Sequence, residues 1–248
     1  MPRMLSVAIN DYPQGDRRLR GCLNDSAAWL DWFDRRGWQV ESLINEQATG
    51  IRIAKAIERL MNESSPGDRV AIHFSGHGSQ VPDLTGDEQD GWDECYCPWD
   101  VRTSGPLRDD TLYHLFQQRA EDVRLYVIAD CCHSGSLHRD SQANSIRYLP
   151  LERSNPRVGQ RRAAAAVRTA GLLLAACGEG ERAREITIAG RSHGLLTHLA
   201  LLTLRDLPSE ATHRTWLAAM RQSGYQTIQQ PRLVGSDRLL DEPVFGGL

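Results

Sequence analysis

Short apolar runs alternate with amphipathic runs along most of this 248-residue chain. The apolar runs predict strands at 4–10, 38–44, 69–74, 123–130, 171–177 and 231–234, with a short extra strand at 185–189. The amphipathic runs predict helices at 24–37, 51–61, 107–120, 195–204 and 215–221. Such alternation predicts an α/β fold in which helices cover both faces of a mostly parallel sheet. We expect a single domain over 1–248, with 136–168 as a flexible linker and 81–106 as a long polar loop.

Composition limits the classes of function. Hydrophobic residues make up 40% of the chain and charged residues 25%, as in ordinary globular proteins. The net charge of −3 leaves no basic excess for a nucleic acid partner. No apolar run approaches the length of a membrane span, and the N-terminus lacks a signal peptide pattern, so a cytoplasmic location is expected. Six cysteines without a secretory signal predict reduced thiols, and Cys95 and Cys97 lack the second pair that a zinc site needs.

A histidine and a cysteine follow two of the predicted strands. His77 lies between two glycines directly after the strand at 69–74, and Cys132 follows the strand at 123–130. The carboxyl ends of parallel strands are where α/β sheets place ligands and catalytic groups. A thiol attacks a carbonyl as the thiolate, and a nearby imidazole can take its proton and later protonate the leaving amine. The pair therefore predicts nucleophilic catalysis, although each residue alone is more often a turn histidine or a core thiol.

The residues alone do not decide which of two adjacent thiols is the nucleophile. Cys131 and Cys132 are neighbours, and successive strand residues point to opposite faces of a sheet. Only one of them can therefore meet His77.

Several ordered motifs resemble the metacaspases and their bacterial relatives in the caspase clan. They are Leu19-Arg20-Gly21-Cys22-Leu23-Asn24-Asp25, Ser75-Gly76-His77-Gly78, the acidic stretch 86–94, Pro98-Trp99-Asp100, Asp109-Asp110 and Asp130-Cys131-Cys132-His133-Ser134-Gly135. The resemblance is close over about 4–138 and looser at 171–177 and after His193-Gly194. It implies the caspase-haemoglobinase three-layer sandwich, an α/β fold with a mixed, mainly parallel sheet of about six strands flanked by helices.

The resemblance implies a cysteine endopeptidase that cleaves protein or peptide substrates after Arg, and less readily after Lys. It places the nucleophile directly before His-Ser-Gly, at Cys132, with His77 as base and acid and no required cofactor. The backbone N–H groups of Gly78 and Cys132 would hold the oxyanion. Stress or defence is the implied setting, and a monomer is the implied state.

The specificity pocket is also assigned by the resemblance. It implies that Asp25 and Asp130 select the basic side chain and that Cys22 and Ser75 complete the pocket. Carboxylates suit this task because they accept bidentate hydrogen bonds from a guanidinium. The alternative for Asp25 is the N-cap of a helix.

The segment 83–110 carries nine acidic residues against two arginines. Its spacing does not match an EF-hand, and a solvated acidic loop is the plain interpretation. The resemblance implies calcium as an activator, with Asp93, Asp109, Asp110 and Asp140 as ligands. For the last of these the alignment is shifted by one residue, because Arg139 occupies the position where the family has the fourth aspartate.

The segment 139–168 has the opposite charge, with seven arginines against two acids. It lies where this clan carries an activation linker, so we expect a zymogen processed by itself or by an upstream protease. Arg161 and Arg162 are the predicted cleavage sites, while Arg182, Arg184 and Arg191 are competitors. The alternative function is an inactive caspase-like module for binding or calcium sensing. A nucleotide-binding domain is disfavoured, because no Gly-x-Gly-x-x-Gly follows the first strand.

Overall fold

The computed structural model describes residues 1–13, 16, 18–86, 91–132, 146–151, 170–178, 181–225 and 228–247. Its strands are β1 (Arg3–Ala8), β2 (Gln39–Ile44), β3 (Arg69–Ser75), β4 (Gly78–Pro82), β5 (Trp92–Tyr96), β6 (Leu107–Arg108), β7 (Arg124–Asp130), β8 (Leu172–Ala175), β9 (Glu185–Ile188), β10 (Arg191–Gly194) and β11 (Arg232–Val234). Its α-helices are α1 (Cys22–Asp34), α2 (Gly50–Asn62), α3 (Val101–Ser104), α4 (Asp109–Phe116), α5 (Leu195–Leu204), α6 (His213–Arg221) and α7 (Asp237–Asp241).

Six strands form the central sheet in the order β11-β8-β7-β3-β1-β2. All neighbours pair in parallel except β11, which is antiparallel to β8 at one edge. The core strands are buried on both faces, which explains their nearly continuous apolar runs. The predicted α/β class and mainly parallel sheet are confirmed.

Helices cover the sheet on two sides and create two hydrophobic cores. One core contains the apolar faces of α2 and α4, and the other contains those of α1, α5 and α6. Helix α2 shows the sequence basis for this packing, since Ile53, Ile57 and Leu60 repeat at helical spacing and are buried. Helix α6 begins after Thr212, whose hydroxyl accepts a hydrogen bond from the Thr215 N–H at 3.2 Å. The result is a three-layer sandwich.

The predicted polar loop at 81–106 is wrong for the residues that are described. Strands β4, β5 and β6 form a small antiparallel sheet there. Strand β5 contains the acidic residues Asp93 and Glu94, and Asp93 is buried. Acidic residues are depleted in strands, so the sequence of β5 resembles that of a polar loop. The predicted helix at 107–120 accordingly begins later, at Asp109.

The short strand predicted at 185–189 is one half of a hairpin. Strands β9 and β10 pair antiparallel through Ala189 and Gly190, whose φ angles of 48° and 78° are both positive. This is the backbone of a tight two-residue hairpin turn. Among the residues described, no helix is long and apolar enough to cross a membrane.

Candidate active site

His77 and Cys132 emerge at the same edge of the central sheet. Strands β3 and β7 pair in parallel, with Ser75 opposite Asp130, and each candidate residue lies two positions beyond that pair. Both side chains are fully buried. This register places the carboxyl ends of the two strands next to each other.

The two adjacent cysteines lie on different sides of the sheet. Cys131 packs in the core beneath α2 and α4, and burial together with neighbouring Cys132 and Asp130 raises the pKa of its thiol well above the usual value. Cys132 packs in the opposite core, and its Sγ contacts the Glu181 carbonyl oxygen at 3.4 Å. Burial thus disfavours a thiolate at Cys131, and the assignment of Cys132 as the nucleophile stays a prediction.

An arginine of the chain itself fills the predicted specificity pocket. The side chain of Arg147 is fully buried, and its Nη2 lies 2.6 Å from Asp25 Oδ2. Its Nη1 lies 3.0 Å from Asp130 Oδ1 and donates to Ser75 Oγ at 2.8 Å. A third carboxylate, Glu185 Oε1, lies 3.3 Å from Nη2. One guanidinium therefore bridges two carboxylates at its two ends, with a third beside it.

Hydrogen bonds from elsewhere in the fold hold the pocket carboxylates in place. The Gly194 N–H donates to both Asp25 oxygens at 3.0 Å. The hydroxyl and N–H of Thr197 donate to Asp130 Oδ2 at 2.8 and 2.9 Å. The N–H groups of Arg20 and Gly21 donate to Glu185 at 2.7 to 3.2 Å. The carboxylates are thus preorganised by donors at the end of β10, in the first turn of α5 and in the two residues before α1.

Burial and the guanidinium act in opposite directions on the pocket carboxyl groups. For Asp25, burial raises the pKa, but the charge of Arg147 and hydrogen bonds from His193 and Arg147 outweigh it, so the net pKa is lowered. For Asp130, burial dominates and raises the pKa to about 6, even though Arg147 opposes it. Burial also raises the pKa of the Cys22 thiol to about 12, so this thiol is a neutral part of the pocket wall.

The backbone of Arg147 is held as firmly as its side chain. Its carbonyl oxygen accepts hydrogen bonds from the N–H of Gly78 at 3.0 Å and the N–H of Cys132 at 3.1 Å. Its own N–H donates to the Ala183 carbonyl at 3.1 Å, and Ile146 forms an antiparallel bridge with Arg184. On the other side, the Leu149 N–H donates to the Gly78 carbonyl at 3.0 Å. Two N–H groups converging on one carbonyl oxygen form the geometry of an oxyanion hole.

Several residues of this site were not predicted from the sequence. Arg147 was one of seven arginines in a linker, and Glu185 was only the first residue of a short strand. Gly194 lines the pocket so closely that an added Cβ would lie 2.1 Å from Asp130 Oδ2 and 2.5 Å from Arg147 Nη1. The unusual His193-Gly194 pair before an apolar helix is the only sequence signal for that position.

Tyr12 contacts the backbone and the ring of His77. Its hydroxyl accepts a hydrogen bond from the His77 N–H at 2.9 Å and donates to the Cys97 carbonyl at 3.1 Å. The Cys97 N–H in turn donates to the His77 carbonyl at 2.9 Å. The two rings are tilted against each other with centroids 4.9 Å apart. The peptide that carries His77 is therefore bonded on both sides.

The alternative role of Asp25 as a helix N-cap is wrong. Helix α1 begins after Gly21, which makes no side-chain cap, and Asp25 lies within the first turn with its carboxylate directed to the pocket. Its backbone N–H is satisfied by the Gly21 carbonyl. The carboxylate is thus available for the pocket.

The acidic residues predicted to bind calcium have other neighbours. Asp93 is buried and forms an ion pair with Arg108. Burial, with repulsion from Glu94, Asp110 and Asp93, raises the pKa of Asp109 to about 6. Within the described part of the chain, no three carboxylate, histidine or cysteine groups lie close enough to hold a metal ion, so the described candidates do not by themselves fit calcium. Asp140 lies outside the described residues.

Most of the predicted activation linker also lies outside the described residues, including Arg161 and Arg162. The described part, 146–151, is not loose. Ile146, Arg147 and Leu149 are all buried. A segment expected to carry no core element therefore contributes a buried ion network.

The fold is an α/β sandwich in which His77 and Cys132 follow the paired ends of two neighbouring parallel strands, where such sheets place ligands and catalytic groups. The model of the metacaspase peptidase C14 domain matches residues 3–139, more than half of the chain. The chain belongs to the metacaspase family.

Curated relatives include two proteins of Aspergillus clavatus. Metacaspase-1B is 37% identical over 145 residues, which are 54% of this chain and 35% of that protein. Metacaspase-1A is 36% identical over 145 residues, which are 54% of this chain and 34% of that protein. The matched region thus spans about a third of the length of these relatives.

A solved structure resembles the whole chain. The crystal structure of protein GSU0716 from Geobacter sulfurreducens superimposes with a TM-score of 0.76 at 24% identity, covering 100% of this chain and 99% of the other. This similarity shows the fold alone and agrees with the caspase-haemoglobinase sandwich.

Proposed function

We propose that this chain is a cysteine endopeptidase that cleaves peptide bonds after Arg, and less readily after Lys. The observation that carries the proposal is Arg147, which lies between three carboxylates while its carbonyl oxygen accepts two backbone N–H groups. A substrate arginine in the same place would present its carbonyl carbon beside Cys132.

Each step of the reaction has a residue to perform it. His77 takes the thiol proton, and the Cys132 thiolate attacks the carbonyl carbon to form a tetrahedral oxyanion. The N–H groups of Gly78 and Cys132 stabilise that oxyanion. The C–N bond then breaks, the amine leaves with the proton held by His77, and water hydrolyses the thioester. No cofactor takes part in these steps.

Preference for Arg over Lys follows from the span of the pocket. Asp25 binds one terminal nitrogen of the guanidinium and Asp130 the other. A single lysine nitrogen cannot form both ion pairs in this geometry. Three carboxylates facing one cation also leave the pocket with excess negative charge, which disfavours neutral and acidic side chains.

We further propose that the enzyme is activated by proteolytic processing in the Arg-rich linker, carried out by the chain itself or by an upstream protease. We propose calcium as an additional activator, which the chemical steps do not require. The proposed enzyme is monomeric and cytoplasmic and acts on protein substrates in stress or defence.

The direct test uses fluorogenic peptides ending in Arg, Lys, Asp or Leu. Wild type should turn over the Arg peptide fastest, and Cys132→Ala and His77→Ala should abolish turnover. The matched control is Cys131→Ala, which removes the neighbouring thiol and should retain activity. If both cysteine variants keep the wild-type turnover, or if no peptide is turned over, the inactive binding module is favoured instead.

A further inference from the structure

The segment 146–149 lies in the site in the manner of a bound substrate. Its backbone pairs with Ala183 and Arg184 on one side of Arg147 and with Gly78 on the other. An extended peptide held by main-chain pairing on both sides of one anchored side chain is a common mode of peptide recognition. The described segment thus crosses the site with Arg147 in the specificity pocket.

From this register we infer that Arg147–Tyr148 is the bond at which the chain cleaves itself, and that the uncleaved segment is a built-in competitor of other substrates. The inference rests on the proposed peptidase function and deepens it. The carbonyl that accepts the two N–H groups belongs to Arg147. The bond that follows this carbonyl, toward Tyr148, is therefore the one placed for hydrolysis.

The chemistry needs only water. The thiolate of Cys132 attacks the Arg147 carbonyl carbon, and the C–N bond to Tyr148 breaks. The nitrogen of Tyr148 leaves as a free amine with a proton from His77. Water then hydrolyses the thioester, which yields a carboxylate on Arg147 and restores the thiol.

Tethering makes the competitor strong. A segment in the same chain acts at an effective concentration on the order of millimolar, so a peptide at about 10 µM would be outcompeted roughly 100-fold at equal intrinsic affinity. Cleavage creates a new chain end at Arg147 and allows the segment to leave the pocket. Turnover of added peptide should therefore begin with a lag that ends as processing is completed.

The buried network also explains why Arg147 is preferred to Arg161 or Arg162 as the processing site. The guanidinium of Arg147 is fully buried and forms ion pairs with Asp25, Asp130 and Glu185. Placing another arginine there requires that these contacts be broken first.

The test is incubation of the full purified chain, followed by intact mass measurement and N-terminal sequencing. We expect a new N-terminus at Tyr148 in wild type, none in Cys132→Ala, and a first-order rate that is unchanged over a 100-fold dilution. The matched control, Arg161→Gln with Arg162→Gln, should be processed at the wild-type rate.

Two further variants cover the case in which a pocket substitution disturbs folding. Arg147→Gln should abolish cleavage at this bond and remove the lag, whereas Arg147→Lys should keep the positive charge and cleave more slowly. Thermal unfolding of each variant checks that it folds. If neither variant folds, the Tyr148 N-terminus in wild type still decides the matter.

The outcomes separate this inference from the proposed function. Turnover of an Arg peptide without a Tyr148 N-terminus, or with a processing rate proportional to concentration, overturns the inference alone. Absence of any cysteine-dependent turnover, in trans or in cis, overturns the proposed function and this inference with it.

A different observation carries a second inference. We infer that Tyr12 is a positioning residue for His77, since its hydroxyl bridges the His77 N–H and the Cys97 carbonyl and its ring packs against the imidazole. Gly76 leaves room for this contact, because an added Cβ would lie 2.7 Å from the Tyr12 hydroxyl.

Tyr12→Phe tests this role, because it keeps the ring and removes the hydroxyl. Misplacing a catalytic group by about 1 Å can cost about 100-fold in rate, so we expect kcat to fall about 10- to 100-fold with KM within about twofold. Gly76→Ala should act in the same direction by displacing the hydroxyl. A lower melting temperature with unchanged kcat in Tyr12→Phe would overturn the inference and leave a purely structural tyrosine.

Discussion

Replacing Asp25 by asparagine gives the most quantitative test of the specificity pocket. The substitution keeps the shape of the side chain and removes its charge. In the native pocket, Asp25 Oδ2 accepts from Arg147 Nη2 at 2.6 Å and from Ser75 Oγ at 2.9 Å. An asparagine amide turned toward this point would present a donor to other donors.

The expected magnitude follows from the lost charged hydrogen bond. Such a bond contributes roughly 1.5–3 kcal/mol, and each 1.36 kcal/mol is tenfold in rate, so kcat/KM for an Arg peptide should fall about 10- to 150-fold. A peptide ending in citrulline, the neutral analogue of arginine, makes no ion pair with Asp25 and should lose much less.

The assay is the ratio of kcat/KM for the Arg peptide to that for the citrulline peptide. Competition by the chain's own Arg147 affects both substrates equally and cancels in this ratio. Glu185→Gln should lower the ratio less than Asp25→Asn, because Glu185 lies 3.3 Å from the guanidinium rather than 2.6 Å. The control is Asp100→Asn, which removes a carboxylate that accepts from the Gly50 N–H at the start of α2.

An Asp25→Asn enzyme that folds and keeps the wild-type ratio would refute the reasoning. So would an equal loss in Asp100→Asn, because it would reveal an effect of general destabilisation and not of specificity.

The other predictions concern the pH dependence of the specificity, the packing around Gly194 and the effect of calcium. The ratio for Arg over citrulline should rise with pH through about 6 and fall below it, because burial raises the pKa of Asp130 to about 6 and only its ionised form pairs with the substrate; a flat ratio from pH 5 to 8 would contradict this. Gly194→Ala should lower kcat/KM more than tenfold for the Arg and the citrulline peptides alike, because its Cβ would enter the space that a side chain of this shape fills beside Asp130; an unchanged kcat/KM for either peptide would contradict this. Millimolar calcium, compared with a chelator, should raise turnover in wild type, and equal activity in the two conditions would reject calcium as an activator.

The strands of the central sheet could be predicted from the sequence because each is marked by a local run of apolar residues. The runs at 69–74 and 123–130 are apolar for nearly their whole length, as strands buried on both faces must be. The two strands are neighbours in the sheet, so that His77 and Cys132 both follow the same sheet edge. The small sheet of β4, β5 and β6 was missed because its acidic residues resemble those of a solvated loop.

The pocket was only half predictable because it is built from residues distant in sequence. Asp25 and Asp130 belong to motifs with a family pattern, but Glu185 and Arg147 have no local signature. Glu185 reaches the site only because the hairpin of β9 and β10 lies against the start of α1, where it binds the N–H groups of Arg20 and Gly21. Contacts of this kind, between positions about 165 residues apart, are properties of the folded chain.

The charge balance of the pocket connects its specificity with its regulation. A buried carboxylate without a partner is costly, and three together are costlier, so an empty pocket is an unfavourable state of the protein. The uncleaved chain avoids this state by placing Arg147 between Asp25 and Asp130. Any event that removes Arg147 leaves carboxylates that only another cation, water or protons can compensate. The same electrostatic demand that selects an arginine in a substrate therefore also holds the chain's own arginine in place until that segment is cut.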